Sequence, residues 1–194
     1  AIQFARFAPR LAKIGAKVIL ECPKPLARLF GSLDGIRILL VRNHPPPPVD
    51  CQIPLLELAR IFGARLDDLP APPYLRPPAG GTHHILTAAP GRPKIGLVLG
   101  TRSRMSGSGR KSLSRAAVET ILGHPEAAFF FLQPDADEAD RAPYLAAGAT
   151  DLTPHMTDFA ASAALVAQLD LVVSVDTAAA HLAGALGKPV WVLL

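Results

Sequence analysis

Apolar residues recur at helical spacing through Ile2, Phe4, Ala5, Ala8, Leu11, Ala12 and Ile14, with Arg6, Arg10 and Lys13 between them, so the chain opens on an amphipathic helix. Gly15 ends that pattern where a C-terminal cap belongs. The period then shortens: residues 17–22 read as a buried strand, 23–30 as a helix opened by proline, and 36–41 as a second apolar strand. Such alternation predicts a parallel sheet covered by helices. Beyond the run Pro45-Pro46-Pro47-Pro48, the pattern suggests a brief strand over 49–53 and a helix over 55–62.

From residue 69 to 93 the periodicity fades and Pro, Gly and Ala crowd together, as in an inter-domain linker, with the boundary expected near residue 90. A second alternation follows. Strands are expected over 94–99, 127–132, 169–175 and 190–194, and helices over 112–122, 137–147, 158–168 and 177–186. Two α/β halves joined by a linker enclose a cleft, and open α/β sheets bind ligands beyond the carboxyl ends of their strands. Candidate chemistry is therefore sought at those ends.

Composition narrows the classes. A chain of 194 residues with 49% hydrophobic content can bury a core, and its 20 prolines and 15 glycines show no fixed period, so collagen-like and disordered readings are set aside. The net charge of +4 sits on a chain in which only 19% of residues are charged and aromatics are scattered. That suits an anionic small ligand better than a nucleic-acid groove, which needs a dense cationic face or stacking aromatics. Cys22 and Cys51 match neither a redox pair nor a zinc spacing, which predicts two buried reduced thiols and a cytoplasmic location. No apolar run reaches the roughly 18 residues of a membrane span. The chain lacks an initiator Met and closes within the apolar run Val190-Trp191-Val192-Leu193-Leu194, so it reads as a piece of something longer.

The strongest local signal is Leu171-Val172-Val173-Ser174-Val175 giving way to Asp176-Thr177-Ala178-Ala179-Ala180-His181. Asp176 is expected to be the N-cap. Unpaired amides and the positive end of the helix dipole would meet there, three alanines leave room for a pyrophosphate, and His181 stands one turn further in. The same residues also describe an ordinary capped helix, and spacing alone does not separate the two. A second signal is the loop from Gly100 to Ser112, in which Arg110 and Lys111 could neutralise a leaving diphosphate; a solvated surface loop fits it equally well. Gln133 ends a strand and could read a base or ribose edge, or simply be an exposed strand-end amide. Asp158 looks like a further helix cap aimed at the same sheet edge. His83-His84 has no partner of metal-ligand spacing, Ser174 lacks the elbow of a hydrolase nucleophile, and neither a Walker loop nor a dinucleotide glycine fingerprint is present.

Asp158-Phe159, Ala163-Ala164-Leu165-Val166, the run Leu169 to Ala178, and His181-Leu182-Ala183-Gly184-Ala185-Leu186-Gly187-Lys188-Pro189-Val190-Trp191-Val192-Leu193-Leu194 together resemble glycosyltransferase family 9. More narrowly they resemble the heptosyltransferase-like domains found in bacteria behind tetratricopeptide repeats. Ile2-Gln3-Phe4-Ala5-Arg6-Phe7, Asp50-Cys51-Gln52-Ile53-Pro54 and Pro73-Tyr74-Leu75-Arg76-Pro77 support the likeness.

The resemblance implies an α/β protein of GT-B fold, two Rossmann-like domains facing a cleft, here truncated at both ends. Residues 1–75 would be the acceptor-side domain, 76–93 the linker and 94–194 the nucleotide-sugar-binding domain. It implies a transferase that moves a sugar from a nucleotide-diphosphate donor to a glycan, lipopolysaccharide or protein hydroxyl, with inversion, no cofactor and no metal. Asp176, Thr177, Ala178, His181, Lys111, Arg110, Gln133 and Asp158 would hold the donor. The family's catalytic Asp is expected just upstream of Ala1, so the segment should bind better than it catalyses. The rival reading is a nucleotide-sugar-binding or scaffolding module that keeps the fold without the activity.

Overall fold

The structure, a computed structural model, describes residues 1–69, 73–79, 91–100 and 113–193. The first unit comprises α1 (Ile2–Ala5), α2 (Ala8–Lys13), β1 (Val18–Cys22), α3 (Lys24–Phe30), β2 (Ile36–Val41) and α4 (Glu57–Ile61). β1 and β2 pair in parallel, as the alternation predicts. The single opening helix is in fact two. Pro9 has no amide to offer, and its ring would strike the carbonyl of Ala5, so α1 stops at Ala5 and α2 restarts after Phe7. Gly15 closes α2 with φ of +94°, a conformation its missing Cβ permits. The strand expected over 49–53 does not form. Cys51 is consequently exposed, while Cys22 on β1 is buried and its thiol is pushed up in pKa by that burial.

The second unit comprises β3 (Lys94–Val98), α5 (Arg115–Leu122), β4 (Ala128–Phe131), α6 (Glu138–Ala146), β5 (Thr150–Asp151), α7 (Phe159–Val166), β6 (Leu171–Val175), α8 (Ala178–Ala185) and β7 (Val190–Leu193). Its five strands are all parallel in the order β5-β4-β3-β6-β7. Side chains alternate along them. Leu97, Phe129, Phe131 and Val173 face Val118 and Leu122 of α5 and Tyr144 of α6. Val98, Phe130, Leu132 and Val172 face Ala163 and Leu165 of α7 and Leu182 and Ala183 of α8.

The two units share that second core. Ile2 and Ala5 of α1 and Leu26, Leu29 and Phe30 of α3 belong to the same cluster as α7 and α8, with α3 lying on α7 and α1 on α8. A short strap seals the joint. The amides of Tyr74 and Leu75 both donate to the Ala185 carbonyl at 3.0 and 3.2 Å, Leu75 is fully buried, and the Arg6 guanidinium stacks over the Tyr74 ring at 4.5 Å. The boundary expected near residue 90 lies outside the described residues.

Candidate functional site

Strand order reverses between β3 and β6: from β3 the chain moves outward through β4 and β5, then returns to β6 and continues to β7. α5 and α8, which follow those two neighbouring strands, cover opposite faces of the sheet. Such a switch point opens a crevice at the carboxyl edge, because the two connections diverge there. The start of α8 lies on that crevice.

Local chemistry at this start departs from the capped helix that the spacing suggests. The N-cap is Thr177 and not Asp176, because Thr177 is the last residue in extended conformation, φ −137° and ψ 174°, before the helix begins. Asp176 stands one residue earlier, exposed, in the turn. Nor does Thr177 cap with its side chain. Its hydroxyl lies 2.9 Å from the Ser174 hydroxyl, which in turn donates to the Val175 carbonyl at 2.7 Å. Ser174 is completely buried.

His181 is half-buried one turn further along, with Nε2 3.9 Å from Asp176 Oδ1, beyond hydrogen-bond reach and attractive only when the imidazole is protonated. Gly187, at φ +74°, ends the helix as the sequence predicts.

The other three helices that follow strands of this sheet are closed. Ser114 accepts from the Ala117 amide at 3.3 Å, Asp137 from the Asp140 amide at 2.9 Å, and Asp158 from the Ala161 amide at 2.8 Å. Asp158 was expected to face the donor. Its Oδ1 caps α7 and its Oδ2 accepts from Arg28 Nη1 of α3 at 2.8 Å, so both oxygens are engaged in structure.

Gln133 follows β4 and is 5% exposed, which rules out a solvated strand-end amide. It lines a cavity of about 230 Å³ at the carboxyl ends of β3 and β4, together with Leu99, Leu113, Arg115, Pro143 and Tyr144. Burial first, and the neighbouring Asp140 charge second, push the Tyr144 phenol up to about 12. Across the sheet, β4 and β6 are two strand spacings apart, roughly 10 Å, a separation that a nucleoside diphosphate can bridge. Arg110 and Lys111 lie outside the described residues, as does His83-His84.

Comparison with known proteins bears on the same part of the molecule. The model of glycosyltransferase family 9 (heptosyltransferase) matches residues 81–193, more than half of the chain and all of the five-stranded sheet. The chain belongs to glycosyltransferase family 9. No curated protein and no solved structure matches it. Sugar transfer is the general chemistry of the family. In this glycosyltransferase family 9 chain, the α8 start, Gln133 and Asp158 all fall inside the matched stretch. Among the described residues, no helix is long and apolar enough to cross a membrane.

Two groups escaped sequence reading. Ser174 was weighed only as a nucleophile; the available signal was a lone hydroxyl in a run of buried valines, which demands a buried partner. Arg28 carries no local signal, because its partner lies 130 residues away.

Proposed function

We propose that this protein transfers a sugar from a nucleotide-diphosphate donor to an acceptor hydroxyl, with inversion and without a metal, in a GT-B arrangement. The donor diphosphate occupies the start of α8. The amides that follow Thr177 receive its oxygens, Ala178 leaves room for close approach, His181 donates from one turn inside, and Asp176 faces the sugar side of the same crevice. Arg110 or Lys111 neutralises the leaving group. The nucleoside lies towards β4, where the Gln133 amide contacts its base or ribose. Residues 1–75 serve the acceptor, which is a glycan, a lipopolysaccharide or a protein, and 76–93 form the linker. The general base is an acid of the full-length protein that precedes Ala1; it takes the acceptor proton as the hydroxyl attacks the anomeric carbon. The wider protein is a cytoplasmic bacterial enzyme with tetratricopeptide repeats ahead of this region.

One observation carries this reading: of the four helices that follow strands of the family-matched sheet, α8, one of the two that flank the switch point, is the one whose N-cap residue makes no side-chain capping bond. An anion suits such a position, because the helix dipole and first-turn amides that lack an intrahelical acceptor coincide there. Thermal denaturation of the full-length protein with ADP, UDP, GDP and their sugar conjugates tests it. A ligand at one hundred times its Kd should add about 2.7 kcal/mol of stability. If no nucleotide diphosphate raises the melting temperature, the donor site is wrongly assigned.

A further inference from the structure

Two α/β units joined by a stretch rich in Pro and Gly ordinarily move relative to one another, unless the surface between them is large and apolar. Here that surface is apolar. Ala5, Leu29 and Phe30 of the first unit lie in one buried cluster with Ala163, Leu165 and Ala183 of the second. Among the described residues the first unit has a sheet of only two strands, which needs helices packed on it to be stable, and two of its helices, α1 and α3, also lie on α8 and α7.

Residues 73–76 cross this joint and bond to both sides of it. Towards the second unit, the Tyr74 and Leu75 amides donate to the carbonyl of Ala185 in the last turn of α8, where a helix leaves carbonyls without an intrahelical partner. Pro73 lies within van der Waals reach of Gly187. Towards the first unit, the Tyr74 hydroxyl donates to the Ile2 carbonyl at 3.3 Å and accepts from Arg6 Nη2 at 3.2 Å. The Arg76 amide donates to Ser32 Oγ at 3.1 Å, and its Nη2 donates to the Ser32 carbonyl at 3.2 Å and to Asp34 Oδ1 at 2.6 Å, so Arg76 grips the turn that follows α3. Between these anchors Leu75 is fully buried in the shared cluster. An exposed pair such as Arg76–Asp34 is worth little by itself; here it adds to a set of bonds on either side of a buried leucine.

We propose that residues 73–76 are a latch that holds the two units together as one body, so that neither opens without the other. Arg76, which the sequence pattern assigns to a linker, is on this account the far anchor of the latch. The inference needs no ligand and stands or falls apart from the donor reading. Its consequence for that reading is that the donor and acceptor halves meet at a set separation, with no swing of one unit against the other.

The test is hydrogen exchange of the full-length protein, unsubstituted and with Leu75→Ala or Arg76→Ala, read by mass spectrometry for β1 in the first unit and β6 in the second. In the unsubstituted protein the protection of the slowest amides in the two strands should agree within about tenfold, as it does for members of one cooperative unit. Leu75→Ala should speed exchange in β1 about tenfold more than in β6, and Arg76→Ala about threefold more. An effect confined to Leu75→Ala keeps the latch and removes Arg76 from it. Should Leu75→Ala fail to fold, Arg76→Ala decides alone, since that side chain is 61% exposed and its loss leaves the core intact. Protection that differs by more than about tenfold between β1 and β6 in the unsubstituted protein means two independent units. Equal acceleration of both strands in the variants, or none, means that the joint holds without the strap. Either result overturns the proposal.

Discussion

α7 and α8 begin at the same edge of one sheet, pack side by side on the same face, and are both rich in alanine, yet their first turns are treated in opposite ways. At α7 an aspartate caps the Ala161 amide and is itself held by Arg28 from the other unit, its side chain 18% exposed. At α8 a threonine sits in the capping position and caps nothing. The first start is closed by local and long-range contacts. At the second, where strand order reverses and an α/β sheet offers room for a ligand, the hydroxyl in the capping position meets Ser174 instead of an amide. Two aspartate-containing turns that look alike in sequence thus differ in structure: one carries its aspartate in the cap, and the other carries a threonine there.

The comparison can be broken by giving α8 the cap of α7. Thr177→Asp should close the amides with a carboxylate and set a negative charge against the incoming diphosphate. Loss of two charge-assisted hydrogen bonds at about 1.5 kcal/mol each predicts roughly a hundredfold weaker nucleotide-diphosphate binding by calorimetry. Thermal stability should move the other way, with a gain of up to about 1 kcal/mol for the new cap. Binding that survives this substitution would mean the anion sits elsewhere.

The converse change opens α7. Asp158→Ala removes the cap and the Arg28 pair together and should destabilise the protein by about 1 to 2 kcal/mol in denaturant titration. Asp158→Asn keeps a capping oxygen and loses only the charge. It should cost at most about 1 kcal/mol, since Arg28 is largely exposed and the pair is screened by solvent. If Asp158 serves only structure, neither variant should alter the affinity for ADP or UDP; a tenfold loss in both would support its expected place at the donor site. His181→Ala should be smaller than Thr177→Asp in its effect on binding, about 1 kcal/mol for one lost hydrogen bond, with the melting temperature nearly unchanged because the ring is half-exposed.

Much of this architecture is legible in the chain. Hydrophobic runs and their punctuation locate β1, β2, β3, β4, β6 and β7 to within about two residues, and Gly187 marks the end of α8. β5 is missed because two residues carry no periodicity. The opening helix is misread because apolar spacing continues across a break that Pro9 imposes through sterics alone. At the candidate site, the sequence names Asp176 as the capping residue, and the structure has Thr177 there. Asp176 has the better capping chemistry, but which residue occupies the cap is set by backbone dihedrals, and the Thr177 hydroxyl lies against a strand hydroxyl that the sequence pattern does not reveal. The role of Asp158 is likewise hidden, since Arg28 arrives from the other unit.

α6 supplies the mildest test of how these helix starts differ. Its first turn carries Glu138 and Asp140 besides the Asp137 cap, so it is anionic where the first turn of α8 has no acid. Tyr144, one turn on and buried, registers that difference: desolvation and the Asp140 charge both disfavour phenolate and push its pKa from 10.0 to about 12. The sign follows from proton counting. Below pH 10 the phenol is protonated in folded and unfolded chains alike and contributes no pH dependence. As pH rises from 10 towards about 12 the unfolded chain ionises first and binds fewer protons than the folded one, so stability falls through that window. Tyr144→Phe should flatten this part of the stability curve measured by denaturant titration. Asp140→Asn, which removes only the lesser cause, should narrow the window from its upper end. If Asp140→Asn abolished the slope as fully as Tyr144→Phe, charge and not burial would dominate at α6.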